Sequence, residues 1–240
     1  MSKSEATGSN ITVSDLEVMS EAENYRNWMY RQISPFIGQR ILEVGAGIGN
    51  FTSLLLDREM VLPVDKYLPC VEHLQERLGH HLRVQPRQVD IADPVDQVLK
   101  DYRFDTVICM NVLEHIADDL SALSNMRTVL VPGGKLILLV PAFQFLYGTV
   151  DRSLEHYRRY TKRELLPKML RTGFQVEKAF YMNFIGMAGW FVNNRLLKWR
   201  EESASQIGLF DRFVAPWAER IEKLVPPPIG LSLIAVGRTR

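Results

Sequence analysis

The 240-residue sequence predicts an α/β fold built on one doubly wound, mostly parallel sheet. Three observations carry that prediction. Short apolar runs alternate with amphipathic stretches along most of the chain. The runs are nearly continuous, as in Leu136-Ile137-Leu138-Leu139-Val140, which suits strands covered on both faces. A glycine-rich turn, Gly45-Ala46-Gly47-Ile48-Gly49, joins the first such run to a helical stretch.

Taken in order, residues 1–14 are rich in Ser, Thr, Gly and Asn and read as a disordered leader. Residues 15–37 read as a helix, with Tyr25, Trp28, Met29 and Ile33 at helical spacing. Strands are expected over 40–44, 60–65, 82–90, 104–111, 135–141, 174–181 and 231–237. Helices are expected over 49–57, 68–78, 94–102, 118–130 and 161–172. The fourth of these stops at Pro132-Gly133-Gly134. The last opens on Thr161 with Glu164 three residues on, a capping-box spacing, and closes at Gly173. Between the last two strands, residues 184–229 form a helical insertion, with helices over 184–199 and 210–225 stopped by Pro226-Pro227-Pro228. Residues 15–240 are thus one domain carrying a helical cap.

Composition narrows the class. Twenty-nine Lys and Arg against 28 Asp and Glu leave a net charge of +1, which argues against a dedicated nucleic-acid binder. Cys70 and Cys109 stand far apart in apolar surroundings and read as reduced, buried thiols. The polar start is no signal peptide. No run approaches the roughly 20 apolar residues that span a bilayer. These features point to the cytoplasm.

Three glycines within five residues need a local reason, since each costs about 0.5–1 kcal/mol relative to Ala in ordered structure. A tight turn with bare backbone, open to a ligand at a helix start, is that reason. The spacing is GxGxG, not the GxGxxG of dinucleotide sites, and Glu43 precedes it by two residues. An acid there is awkward beside a pyrophosphate and welcome beside a cationic ligand, which disfavours a nicotinamide oxidoreductase. Asp65 ends the second strand, where a carboxylate can accept both hydroxyls of a ribose. Asp90 ends the third, where it can meet an adenine amino group with Ile91 against the ring.

These motifs resemble the class I S-adenosylmethionine (SAM)-dependent methyltransferases. Glu43-x-Gly45-x-Gly47-x-Gly49 is similar to their first motif, Asp65 to the ribose-binding acid, and Asp90-Ile91 to the adenine contact. The stretch Phe104-Asp105-Thr106-Val107-Ile108-Cys109-Met110-Asn111-Val112-Leu113-Glu114-His115-Ile116 is similar to the fourth-strand motif. Leu130-Val131-Pro132-Gly133-Gly134-Lys135-Leu136 is similar to the turn into the fifth strand. The resemblance covers about residues 25–183 and the final strand. It implies a seven-stranded sheet in the order 3-2-1-4-5-7-6 with the last strand antiparallel. It also implies SAM as cofactor, held by Tyr25, Glu43, Gly45, Ala46, Gly47, Gly49, Asp65, Lys66, Asp90, Ile91, Asn111 and Val112. The ubiquinone-pathway O-methyltransferases carry a similar Leu-Glu-His ending, where acids and His can hold a divalent metal. Here Asn111 stands at a position often acidic there, and no metal is assigned.

Methyl transfer from a sulfonium needs alignment, and a base only where the acceptor must lose a proton. Two histidines are the base candidates, His115 after the fourth strand and His156 in the segment after the fifth. That segment is basic, with seven basic residues and three acids over 150–171. Arg158-Arg159, flanked by Tyr157 and Tyr160, suits a phosphate or carboxylate on a substrate. The expected acceptor is a small or lipid-linked molecule, methylated at oxygen. Methylation at nitrogen or carbon, of a small molecule or a protein, and a non-catalytic SAM-binding role are the alternatives. The insertion, with Trp190 and Phe191 ahead of Arg195, Lys198 and Arg200, suits a substrate lid, a homodimer face or peripheral membrane contact alike.

Overall fold

The computed structural model describes residues 13–192 and 204–240. At its centre β1 (Arg40–Val44) pairs in parallel with β2 (Met60–Asp65) on one side and β4 (Phe104–Met110) on the other. The short β3 (Arg87–Gln88) edges β2, and β5 (Leu130–Pro141) runs parallel to β4. β7 (Ser232–Thr239) slots antiparallel between β5 and β6 (Phe174–Met182). The sheet order is therefore 3-2-1-4-5-7-6, as the resemblance implied.

Successive residues of each inner strand feed opposite faces. Leu42, Leu62, Val107 and Leu138 join one apolar cluster, while Ile41, Val61, Ile108 and Ile137 join the other with Trp28 and Ile234. Both faces are covered, so the strands show no polar alternation. Trp28 of α2 (Glu23–Ile33) is fully buried against the second face. Helices α3 (Leu68–Leu78), α4 (Gln97–Asp101), α5 (Asp119–Thr128), the short α6 (Thr149–Ser153) and α7 (Lys162–Arg171) connect the strands. The Glu164 carboxylate accepts from the backbone N–H and hydroxyl of Thr161, both at 2.8 Å, so the predicted cap of α7 is present. Gly173 follows with φ +89°. No helix among the described residues is long and apolar enough to cross a membrane.

Four expectations need correction. The helix read over 15–37 is two helices, α1 (Val13–Ser20) and α2, broken at Glu21 and Ala22, so residues 13 and 14 are helical rather than part of a leader. Residues 1–12 lie outside the described residues. The helix over 49–57 shrinks to a 3-10 turn, Thr52–Leu54. Gly49 is left-handed there, and the Ser53 hydroxyl donates to the Asn50 carbonyl, a local bond that competes with a helix. The strand over 82–90 keeps only two residues, because Pro86 lacks the N–H an edge strand needs and Val84 makes a single bridge to Val61. The second cap helix begins earlier than residue 210. It runs from α9 (Ala204–Leu209) through a π-helical stretch, Phe210–Val214, into α10 (Ala215–Leu224). The first cap helix is described as α8 (Phe184–Trp190), and residues 193–199 of that expectation lie outside the described residues.

The insertion is tied to the body by its acids. Asp211 accepts from the Tyr25 N–H at 2.7 Å and from the Asn24 N–H and side-chain amide at 3.1 Å each, capping the start of α2. Glu219 takes Arg31 in a two-bond fork, and Glu222 accepts from Asn183 and Phe184 at the start of α8. The Asp211→Ala variant leaves those α2 donors without their partner. It is expected to lose about 1–3 kcal/mol of stability, read from the urea midpoint.

Candidate functional site

The carboxyl ends of β1, β2 and β4 meet at the glycine turn. Gly45, Gly47 and Gly49 have φ of +71°, +54° and +84°. Side chains would also not fit: a Cβ at Gly45 would lie 2.1 Å from Val112, and one at Gly49 2.3 Å from Leu74. The Gly45 and Ala46 N–H groups donate to the Val64 carbonyl, and the Gly47 N–H donates to Asp65 Oδ2 at 2.9 Å. The other Asp65 oxygen accepts from the Tyr67 N–H at 3.0 Å. Asp65 is buried, and burial pushes its carboxyl above the usual range. Each of its oxygens still has a lone pair to offer a hydroxyl.

Glu43 is buried beneath the turn, with the Thr52 hydroxyl donating to it at 2.7 Å. Burial pushes its carboxyl up to about 8 despite that bond. α1 packs over the turn, since Leu16 reaches Gly47 and its carbonyl accepts from the Asn50 side-chain amide. Lys66 is exposed, its ammonium 4.8 Å from the centre of the Tyr67 ring. Asp90 is half-buried and accepts from the Ala92 N–H, two residues beyond the end of β3, while Ile91 beside it is buried. Asn111 closes β4 in the left-handed region, φ +53°, exposed, with its N–H on the Leu139 carbonyl. Tyr25 sets its ring edge-on to Trp28 and Phe210. Direct contacts thus join Val112, the turn and Asp65. Ile91 shares an apolar cluster with Val44, Val64 and Val112, and Asp90 follows the short edge strand β3.

The second half of the site follows β4 and β5. His115 and His156 meet edge to face, ring centres 4.5 Å apart. His156 Nδ1 lies 2.9 Å from Asp151 Oδ1, and Arg159 Nε donates to the same oxygen at 2.7 Å. The Gly148 N–H donates to the other oxygen. Burial pushes the Asp151 carboxyl up, but the bonds from His156 and Arg159 prevail and hold it at about 2. His115 is lowered to about 4 by burial and by the neighbouring His156, so its ring is neutral at neutral pH. Glu114, almost fully buried, is raised to about 8 by burial, and its Oε2 has no hydrogen-bond partner. One ligand atom each from Glu114, His115 and His156 lies within 4.8 Å of the others, a donor set able to take a cation.

The expected substrate anchors mostly serve the protein itself. Arg159 is buried on Asp151 and under the Trp190 ring. Arg158 donates to Asp119 and to the Ala117 carbonyl, and the buried Tyr160 hydroxyl donates to the same Asp119, which Lys168 also reaches. The two guanidinium charges answer buried carboxylates of neighbouring segments, and the Tyr160 hydroxyl shares one of them. Tyr157 alone of the four has an exposed ring, 60% open to solvent. Sequence reasoning gave Asp151 and Thr52 no role, and it met Glu114 only within the Leu-Glu-His ending, where no metal was assigned.

Residues 16–179, more than half of the chain, match the model of a family described as a methyltransferase domain. The chain belongs to this methyltransferase family. Among curated relatives it is 34% identical over 162 residues to the highly reducing polyketide synthase PKS2 of Leptosphaeria maculans, covering 59% of this chain and 6% of that one. It is 26% identical over 152 residues to the ubiquinone biosynthesis O-methyltransferase of Haemophilus ducreyi, covering 61% of each. The chain therefore spans less than two thirds of the length of either relative. A solved structure of a putative methyltransferase in complex with the Haloferax volcanii Trm112 methyltransferase activator shares the fold. It superposes with a TM-score of 0.67 at 15% identity, over 98% of this chain and 99% of that one.

The buried Glu43 predicts a pH effect. Between about pH 4.5 and 8 the folded protein keeps a proton on Glu43 that the unfolded chain has lost. Stability contributed at that position therefore falls as pH rises, by up to about 1.4 kcal/mol per unit. Glu43→Gln is expected to flatten the decline in urea midpoint between pH 5 and pH 8, with Glu114 accounting for slope that remains.

Proposed function

We propose that the chain transfers a methyl group from SAM to a hydroxyl of a small or lipid-linked acceptor, with His156 as the base. When bound, SAM supplies an electrophilic methyl group on a sulfonium leaving group. The residues present fit it. Gly45, Ala46, Gly47 and Gly49 leave backbone bare at the carboxyl end of β1, and Asp65 has lone pairs for the ribose. Lys66, Asp90, Ile91, Asn111 and Val112 follow the neighbouring strand ends, and Tyr25 is assigned to SAM by the family resemblance. Glu43 sits beneath the turn as the acid nearest a cationic amino group.

The observation that carries the reading is the Asp151–His156 pair set against His115. Asp151 takes His156 Nδ1, which leaves Nε2 free to accept a proton. As the acceptor oxygen bonds to the methyl carbon and the carbon–sulfur bond breaks, the hydroxyl proton passes to that nitrogen. A neutral amine attacks through its lone pair and gives such a base less to do, so the pair favours oxygen over nitrogen; a carbon acceptor would need the base as well. Arg159 and the Gly148 N–H hold Asp151 and act as positioning groups. Likeness to the Haemophilus O-methyltransferase supports the same choice.

The test of function is purified protein with methyl-labelled SAM and a cell extract, the products split between organic solvent and water. Label in either phase supports transfer, and the phase names the acceptor's polarity. No label from any extract, with SAM bound, overturns it.

Variants separate the parts. Gly47→Arg is expected to abolish SAM binding in calorimetry while circular dichroism stays native. His156→Ala is expected to lower turnover about 100-fold or more with SAM affinity kept. Asp151→Asn is expected to lower turnover and to change its pH profile, since the imidazole loses its anionic partner.

A further inference from the structure

The helical run from α9 through α10 is amphipathic in the inverted sense. Its inward side carries Asp211, Ala215 and Ala218, all buried, and directs Glu219 and Glu222 onto Arg31 and the start of α8. Its outward side carries Leu209, Phe213, Trp217, Ile221, Leu224 and Val225, each between 52% and 84% exposed. Steps of four residues drift around an α-helix, but the wider π-helical stretch Phe210–Val214 slows that drift and keeps the stripe on one side. Helices on globular proteins turn such a stripe to the core, and a contiguous exposed one marks a contact surface.

Cations accompany the stripe. The Arg212 guanidinium sits 5.3 Å from the Phe213 ring, the Arg220 guanidinium 5.3 Å from the Trp217 ring, and Lys223 is exposed one turn on. Among the described residues no carboxylate pairs with any of the three, because the acids of this run point inward. Aromatic and aliphatic side chains beside unanswered basic ones are the composition of a helix that lies in a lipid headgroup layer.

We infer that the outward face of residues 209–225 docks on an anionic lipid surface. Its apolar side chains enter the headgroup boundary, and Arg212, Arg220 and Lys223 meet lipid phosphates. A second copy of the chain is the weaker occupant. A two-fold pair would bring both sets of cations to one interface, and among the described residues the acids of this run point inward, away from it. Docking goes beyond the methyl-transfer reading and requires neither SAM nor acceptor, so the two stand or fall separately.

The test is co-sedimentation of the full chain with vesicles, either phosphatidylcholine alone or phosphatidylcholine and phosphatidylglycerol in equal parts. The protein is expected to pellet with the anionic vesicles, to stay in solution with the neutral ones, and to be released by salt. The double variant Phe213→Ser, Trp217→Ser is expected to abolish pelleting. Arg220→Gln with Lys223→Gln is expected to weaken it about fivefold per cation removed. All four side chains are exposed, so circular dichroism and SAM binding are expected to stay native. Wild-type protein left in solution with anionic vesicles overturns the inference, as does undiminished pelleting of the serine variant. A dimer in gel filtration that the serine variant turns to monomer, without vesicle binding, overturns it in favour of a second copy.

Discussion

β1 and β4 lie side by side, yet the chain leaves them in opposite directions, toward β2 in one case and β5 in the other. No connection can cover both strand ends, so a crevice opens where they part. The glycine turn, Asp65, Asn111 and the Leu113–His115 turn are the segments that rim it. Their placement is a consequence of strand order before it is a matter of any side chain. The apolar clusters on both faces of the sheet hold that order rigidly, and short loops can then carry left-handed backbone at Gly45 and Asn111.

Buried carboxylates set the character of the crevice. Glu43, Glu114 and Asp151 all lie out of solvent, but they are answered differently. Asp151 has an arginine, an imidazole and a backbone N–H, and stays anionic. Glu43 has one hydroxyl and Glu114 has an orphan oxygen, and both hold their protons near neutrality. One anion is therefore fixed beside His156, while two acids remain available to ionise if a cation arrives. Charge is spent where an imidazole must be oriented and withheld where a positive ligand would have to supply it.

Much of this was legible in sequence, for physical reasons. The strands over 40–44 and 60–65 are apolar along their whole length because both faces are covered, and their bounds could be read directly. Glu43, Gly45, Gly47 and Asp65 were legible because few other needs put glycines and acids at strand ends. β3 was not, because Pro86 breaks the pairing between the Val84 bridge and Arg87, which an edge strand allows. The helix after Gly49 was not, because Phe51, Leu54 and Leu55 keep helical spacing while Gly49 is left-handed and the Ser53 hydroxyl takes the Asn50 carbonyl. Arg158 and Arg159 show a sequence their charge but not their buried partners. Asp151 lies five residues before His156 in a segment without period, a spacing that signals nothing until the loop folds back.

The position of β7 bears on how the protein comes to be made. It is the last strand in sequence, yet it fills the gap between β5 and β6 and supplies every backbone partner that β6 has. A ribosome-bound chain that has reached residue 230 holds a five-stranded sheet with a bare edge at β5 and no neighbour for β6. That edge carries Leu136 through Val140, the most apolar run in the chain. The β5 edge thus stays open to mispairing until residues 232–239 emerge, and closure of the sheet waits on them.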